Sequence, residues 1–534
     1  MQFSASLFAI SFVASALILV WVFRIGSRAS DLPPGPPTLP LLGNLHQMPK
    51  KKSHEQYQLW AKEYGPIYSL ILGQKTVIVL ADGTVMHDLL DVKGANYADR
   101  PNTYVRHLFE NSRTVMRGYD DVLRLERKLY HAALNTNTVQ KYIPYQELET
   151  LKLCVDLLEK PSSFIEHISR TIGSISASIT YGFRLPETES QETKELMGNS
   201  HGFVRLVGKS QLLDMFPAVR PILDIIPRQW NTLAREAVQA YESERAVFYK
   251  YYNKAINGSP TCFAREIAAS QEKWRGTADG ELLTNHAAAY IAGVSFEAGA
   301  DTSIYTLQTF FKAMLLFPEA QKKAQQELDA VVGPDTLPSQ GHLAGLPYLN
   351  AVAKETLRWL PVGLNGAVPH ATSREDYYRG FRIPKGSTVI LGVWAANHQE
   401  QDFPNPRDFI PERQVQDTSI FASQFAATPR ERGGYGFGSG RRMCPGIHVA
   451  TNNLLIAMAR ILWAFDIRPA TTANGQEIPV DRDAIADSAA GHPLAFACEI
   501  LPRSNNRTAL IRKEWELSSN QRLEADGNWK KNKL

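Results

Sequence analysis

Apolar side chains recur along most of this chain at the three-to-four residue spacing of an amphipathic helix. Residues 122–134, 164–181, 233–256, 282–316, 318–331, 348–360 and 447–465 carry that period and predict helices. Strand character is confined to two places. Residues 69–80 are rich in β-branched side chains around a polar Gly73-Gln74-Lys75 break, which predicts a hairpin, and residues 377–393 read as a second strand region. The expected fold class is mainly α with a minor β region. The segment 282–316 is too long and too apolar for a surface helix and belongs in a core. Yet it carries Ala298-Gly299-Ala300-Asp301-Thr302-Ser303 at its middle. An acid there is costly unless it is paired or useful, and Thr302 or Ser303 can return a hydroxyl bond to the preceding turn and bend the helix.

The first residues follow a different pattern. Residues 3–23 form a run of 21 without a charge, which at about 1.5 Å per residue matches the roughly 30 Å of bilayer hydrocarbon. A cleaved signal is the competing reading, with Ala14-Ser15-Ala16 as its small residues, but the run continues past them and no basic stretch precedes it. Arg24, Arg28 and Lys50 to Lys52 lie on its C-terminal side, so a single-pass anchor over residues 1–24 leaves the body in the cytosol. The sequons at Asn257 and Asn506 should then stay without sugar. Pro33-Pro34-Gly35-Pro36-Pro37 makes residues 25–45 a basic, proline-rich hinge, because successive prolines fix φ and remove donors. No internal repeat or linker divides residues 46–502, which read as one large domain. Residues 503–534, polar and ending in Lys530, Lys531 and Lys533, read as a disordered tail.

Composition narrows the function. Apolar residues at 44% and charged residues at 21% describe a globular chain, and a net charge of +4 without basic–aromatic clusters gives no case for nucleic acid. Cys154, Cys262, Cys444 and Cys498 lie more than 50 residues apart, with no zinc spacing, and read as reduced and unpaired. Only Cys444 has a chemical neighbourhood. It stands in Phe-Gly-Ser-Gly-Arg-Arg-Met-Cys-Pro-Gly, residues 437–446, where glycines admit a bulky ligand and arginines sit beside a thiol that must ionise to bind metal. A Gly-rich surface turn and a phosphate cradle are the alternatives, though no Gly-Lys-Ser/Thr follows. Upstream, Glu355 and Arg358 share a helix face at i and i+3, and Phe409-Ile410-Pro411-Glu412-Arg413 follows.

Four elements in this order, Ala-Gly-x-Asp-Thr, Glu-x-x-Arg, Phe-x-Pro-Glu-Arg and the cysteine loop, resemble the cytochromes P-450, and the anchor and hinge are similar to the microsomal type. The resemblance runs from residue 1 to about Pro502 and implies the cytochrome P-450 fold behind one transmembrane helix. It implies haem b with Cys444 as the proximal thiolate, cradled by Phe437, Gly438 and Gly446. Asp301 and Thr302 would relay protons to bound dioxygen on the distal side. Glu355, Arg358 and Arg413 would form a buried structural ion triad. Arg124, Arg442 and His370 would meet the haem propionates. Leu123 departs from the pattern, since the family usually has Trp one residue before Arg124.

The resemblance also implies electrons from NADPH through a separate flavoprotein reductase, with cytochrome b5 as an optional second donor. Arg127, Lys128, Arg430, Arg432 and Arg441 are the candidate docking charges. Within the family the chain is similar to the filamentous-fungal branch of specialised metabolism, typified by O-methylsterigmatocystin oxidoreductases. The implied activity is monooxygenation of a bulky apolar metabolite at the endoplasmic reticulum membrane, the substrate touching residues 104–119, 203–216, 290–298, 362–368 and 489–492. The competing functions are a haem-thiolate isomerase or dehydratase and a non-catalytic haem- or lipid-binding membrane protein.

Overall fold

The computed structural model describes residues 24–530 apart from 228, 259, 415–419, 427, 487 and 489. The predicted anchor lies outside the described residues, as do Lys531, Lys533 and Ala489. The helix Asn285–Leu316 is the axis of the molecule. Thr284 caps its start by accepting from the Ala287 N–H at 3.1 Å, and Phe317-Pro318 ends it by withholding a donor. Helix Phe164–Tyr181 packs along it, and helices Ile143–Glu159, Pro347–Trp359 and Ile447–Ala464 complete a single apolar core around the pair. Ile447–Ala464 is apolar enough to cross a membrane by composition alone, but it is largely buried inside this core.

The predicted hairpin forms as strands Ile67–Leu72 and Lys75–Leu80, in register Ile67 with Leu80. Lys75–Leu80 continues in parallel with Thr388–Leu391, which pairs antiparallel with His370–Ala371. The region 377–393 is therefore not one strand. It folds as the hairpin Asp376–Tyr378/Phe381–Ile383, the strand Thr388–Leu391 and then a helix, Val393–Asn397. A third small sheet joins Phe465–Pro469 to Cys498–Pro502.

The two terminal segments are both tied to the body, the hinge as a stiff stretch and the tail against its expected disorder. The proline-rich stretch is pinned to the first strand: Arg28 donates to the Ser69 hydroxyl, the Ser69 carbonyl and the Gly35 carbonyl at 2.8–2.9 Å, and the Ser69 N–H reaches the Pro34 carbonyl. The polar tail is ordered as far as it is described. Ser504 caps the helix Asn505–Arg522, which lies on Ile143–Glu159, while Arg503 and Arg507 pair with Asp329. Beyond it Trp529 is buried, its indole N–H donating to the Ser178 hydroxyl at 2.9 Å, and the Gly527 carbonyl accepts from Arg184. Polar composition concealed a few side chains that anchor the segment.

Candidate active site

The loop before helix Ile447–Ala464 is closed by its own backbone: the Cys444 N–H donates to the Phe437 carbonyl at 3.0 Å, and Met443 N–H to Gly440. Gly440 has φ +64° and packs so close that a Cβ would lie 1.9 Å from the Leu90 carbonyl oxygen. Only glycine fits there. Asp91 staples the loop from the other side, accepting from the Gly440 N–H, the Ser439 hydroxyl and Arg432. Burial works against this carboxylate, but Arg432 and the two loop donors outweigh it and hold its pKa below the usual range.

The loop hangs from a buried ion triad. Arg358 donates to both Glu355 oxygens at 2.8 and 2.9 Å, and both side chains are fully buried. Arg413 reaches Glu355 at 3.2 Å. Arg358 also donates to the Asn397 carbonyl, and the Asn397 side chain accepts from the Tyr435 N–H, two residues before Phe437. Glu355, Arg358 and Arg413 thus meet as expected.

Burial raises all four cysteine thiols. Burial pushes Cys154 and Cys498 up to about 12 and raises Cys262. Burial also raises Cys444, opposed in part by the Gly446 N–H and the Arg127 guanidinium; Cys444 stands apart by its loop and not by the direction of its shift.

Beside the loop lies a cluster of cations. Arg100 donates to the Val115, Val368 and Pro369 carbonyls, Arg442 to the Ala98 and Arg117 carbonyls, and Arg127 to the Met443 carbonyl. Carbonyls satisfy their N–H groups without neutralising their charge. Burial, then mutual repulsion, lowers Arg100 to about 9 and Arg442 to about 10. Three crowded guanidiniums of this kind form a site for anionic groups.

Arg124 is not among them. It stands on the outer face of helix Asp121–Leu134, 56% exposed and paired with Asp121. Helical period explains the difference: Leu123, Glu126, Tyr130 and Leu134 are buried, and Arg127 shares their face while Arg124 does not. Arg100 was also missed, because it sits in extended chain 268 residues from the carbonyl it binds. His370 is buried with Nδ1 2.7 Å from the Tyr97 carbonyl, so that nitrogen carries the proton. Burial, with Arg100 and Arg442 nearby, depresses its pKa far below normal. Neutral His370 offers only an acceptor at Nε2, and it serves an anion only after taking up a proton. Leu123 is buried and supplies no donor.

Opposite chemistry comes from the long helix. Its middle is buried nearly all round, yet Ala298 and Thr302 are exposed and Asp301 and Tyr305 half-exposed. These positions fall on one strip at i, i+3, i+4 and i+7, the lining of an internal space. The Thr302 hydroxyl donates to the Ala298 carbonyl at 2.8 Å. Gly438, with φ +75°, has nothing within 4 Å of where a Cβ would stand, so the cysteine loop also borders open room. A thiol, a trio of crowded arginines bonded to carbonyls, an open glycine and an accessible Ala–Thr strip suit haem with its two propionates.

The profile of the cytochrome P450 family matches residues 33–482. The chain belongs to the cytochrome P450 family. It is 38% identical to the cytochrome P450 monooxygenase virE of Hypocrea virens, over 97% of this chain and 94% of that one. It is also 38% identical to the cytochrome P450 monooxygenase fogE of Aspergillus ruber, over 95% and 94% of the two chains. A zebrafish cytochrome P450 solved with abiraterone superposes with a TM-score of 0.68, at 21% identity over 85% of this chain and all of that one. This P450 is accordingly a monooxygenase of the fungal secondary-metabolite type, with haem held by a cysteine thiolate and electrons supplied by a redox partner.

Of the docking charges expected for that partner, Arg432 is buried against Asp91 and Arg127 turns inward. Lys128, Arg430 and Arg441 remain exposed.

Proposed function

We propose that Cys444 is the haem ligand of a membrane-bound P450, that Arg100, Arg127 and Arg442 hold the propionates, and that Asp301 and Thr302 serve dioxygen on the distal side. The observation that carries this reading is the accessible Ala298–Thr302 strip inside an otherwise buried helix, in a molecule whose cysteine loop borders three arginines bound only through carbonyls. When bound, haem supplies the redox chemistry that places one atom of dioxygen on substrate. The protein's part is to fix and feed it. Gly446 N–H and Arg127 favour the Cys444 thiolate. With haem in place, the Asp301 carboxyl would pass protons inward from solvent, and the Thr302 hydroxyl, which now donates to the Ala298 carbonyl, would be the nearest alcohol to hand them on. Retention of this acid–alcohol pair favours monooxygenation over peroxide isomerisation.

Electrons come from NADPH through a separate flavoprotein reductase, with cytochrome b5 as an optional donor, meeting Lys128, Arg430 and Arg441. The body lies on the cytosolic side of the endoplasmic reticulum membrane. Leu41, Leu42, Leu212, Ile222, Ile225 and Trp230 are exposed, and the Gly73 and Gln74 N–H groups tie the Leu42 and Met215 carbonyls side by side. Exposed leucines of the segment that follows the anchor therefore sit beside the end of helix Ser200–Met215. The substrate is a bulky apolar metabolite received beside the accessible Ala298–Thr302 strip, which the buried cluster of Val105, Phe109, Phe203, Tyr290 and Val294 backs. The test is a reduced-minus-oxidised carbon monoxide spectrum of the purified protein, followed by NADPH oxidation with purified reductase. A wild-type spectrum of the thiolate type that survives Cys444→Ser would refute the ligand assignment.

A further inference from the structure

The distal wall contains an ionic cluster that the haem chemistry does not use. Arg113, on the loop between helices Tyr104–Leu108 and Asp121–Leu134, shares its guanidinium between Glu244 of helix Thr232–Gly258 and Glu297 of helix Asn285–Leu316. The three side chains are only 6%, 2% and 6% exposed. Asn199 donates to the second Glu297 oxygen at 3.2 Å, and the Arg113 guanidinium stacks 4.0 Å over Phe203. Around them lie the apolar wall and the Tyr181 and Tyr290 hydroxyls, and Glu297 immediately precedes Ala298 of the accessible strip. One cation facing two carboxylates leaves a buried negative charge unless a proton joins them, and an uncompensated buried charge favours opening to water.

We propose that Arg113, Glu244 and Glu297 are a proton-biased latch tying the loop to both helices, closed while the two carboxylates share one proton and released when both ionise. The proton lost on release goes to solvent. The groups facing the pair are Arg113 from the loop, Tyr290 from the long helix and Tyr181 from helix Phe164–Tyr181. Glu110, Tyr241 and His286 form a separate hydrogen-bonded group farther along the same wall. Burial, reinforced by Glu297 and opposed by Arg113, pushes Glu244 up to about 7. The sign follows by linkage. A glutamate freed into water titrates at about 4.3, so closing takes up a proton between that value and about 7, and the closed form loses favour up to about tenfold per pH unit there. Above about 7 the bias is flat. His286 cannot imitate this, because burial lowers its pKa and its protonation would favour opening at low pH.

The test uses the ferrous holoenzyme and n-butyl isocyanide, a neutral ligand that must pass the distal wall. Its association rate should rise up to about tenfold from pH 6 to 7 and level off by pH 8. In Glu244→Gln it should be slow and independent of pH, and Glu297→Gln carries the same expectation if the first variant fails to fold. Hydrogen exchange at pH 8 should be slower over residues 104–117 in either variant than in wild type. A flat wild-type profile, a variant that keeps the slope, or identical exchange would each overturn the latch. The isocyanide arm rests on the haem reading, whose failure would appear separately as a missing thiolate carbon monoxide spectrum; the exchange arm needs no haem.

Discussion

Replacing Arg358 by Met removes the two-pronged partner of Glu355, the triad's central member, at nearly constant volume. The loss comprises both bonds to Glu355 and those to the Asn397 and Asp408 carbonyls. Glu355 keeps Arg413, the Ile410 N–H and the Gln414 amide at 3.1–3.4 Å, so its charge is weakened in support rather than abandoned. Breaking a buried pair costs about 3 to 5 kcal/mol, and these remaining partners place Arg358→Met near the lower end. Arg413→Ala leaves the two-pronged Arg358–Glu355 pair intact and loses one 3.2 Å contact plus carbonyl bonds, for about 1 to 2 kcal/mol. The assay is the temperature at which the thiolate carbon monoxide spectrum gives way to its inactive form, since Asn397 transmits the damage to Tyr435 and the cysteine loop. A double-mutant cycle with Glu355→Gln should return a coupling of about 2 kcal/mol, as the stranded carboxylate is removed with its partner. Equal losses from Arg358→Met and Arg413→Ala, or additivity in the cycle, would refute this assignment of weight.

Three further outcomes are expected. Arg127→Ala should speed haem transfer to an apoprotein scavenger by roughly ten- to a hundredfold, the worth of a charge-assisted hydrogen bond of about 1.5 to 3 kcal/mol, whereas Arg124→Ala, which loses only a surface pair of about 0 to 1 kcal/mol, should leave it nearly unchanged. Asp301→Asn should slow coupled turnover by about a hundredfold and raise the solvent isotope effect, read as product formed per NADPH oxidised. Trp529→Ala should cost about 3 to 5 kcal/mol in thermal or denaturant stability, with no change in the resting haem spectrum.

What the sequence disclosed depended on whether the relevant physics was local. The Phe437–Gly446 loop, the long helix with its Asp301-Thr302 centre and the Glu355–Arg358 pair are short-range patterns, and they stand in the structure as read. Arg127 was equally legible, because Leu123, Arg127, Tyr130 and Leu134 mark the inward face of their helix; the error was to follow a neighbouring arginine instead of the period. Arg100 and the latch were not legible. Arg113 meets carboxylates 131 and 184 residues away, and nothing in the spacing of distant charges marks which of them the fold will bring together. The tail misled through its average polarity, although Arg507 and Ile511 are an i, i+4 pair that turns inward.

That tail separates two meanings of the word domain. The match to the family profile ends at residue 482, short of His492, whose ring stacks on Tyr305 of the accessible strip. Cut there, strand Phe465–Pro469 would lose its partner, Asp329 its two arginines and Ser178 its indole donor. The profile's unit is therefore shorter than the physical one, whereas the fungal relatives match over 95–97% of the chain. An expression boundary set at the profile's end would discard both part of the scaffold and the ring that backs Tyr305.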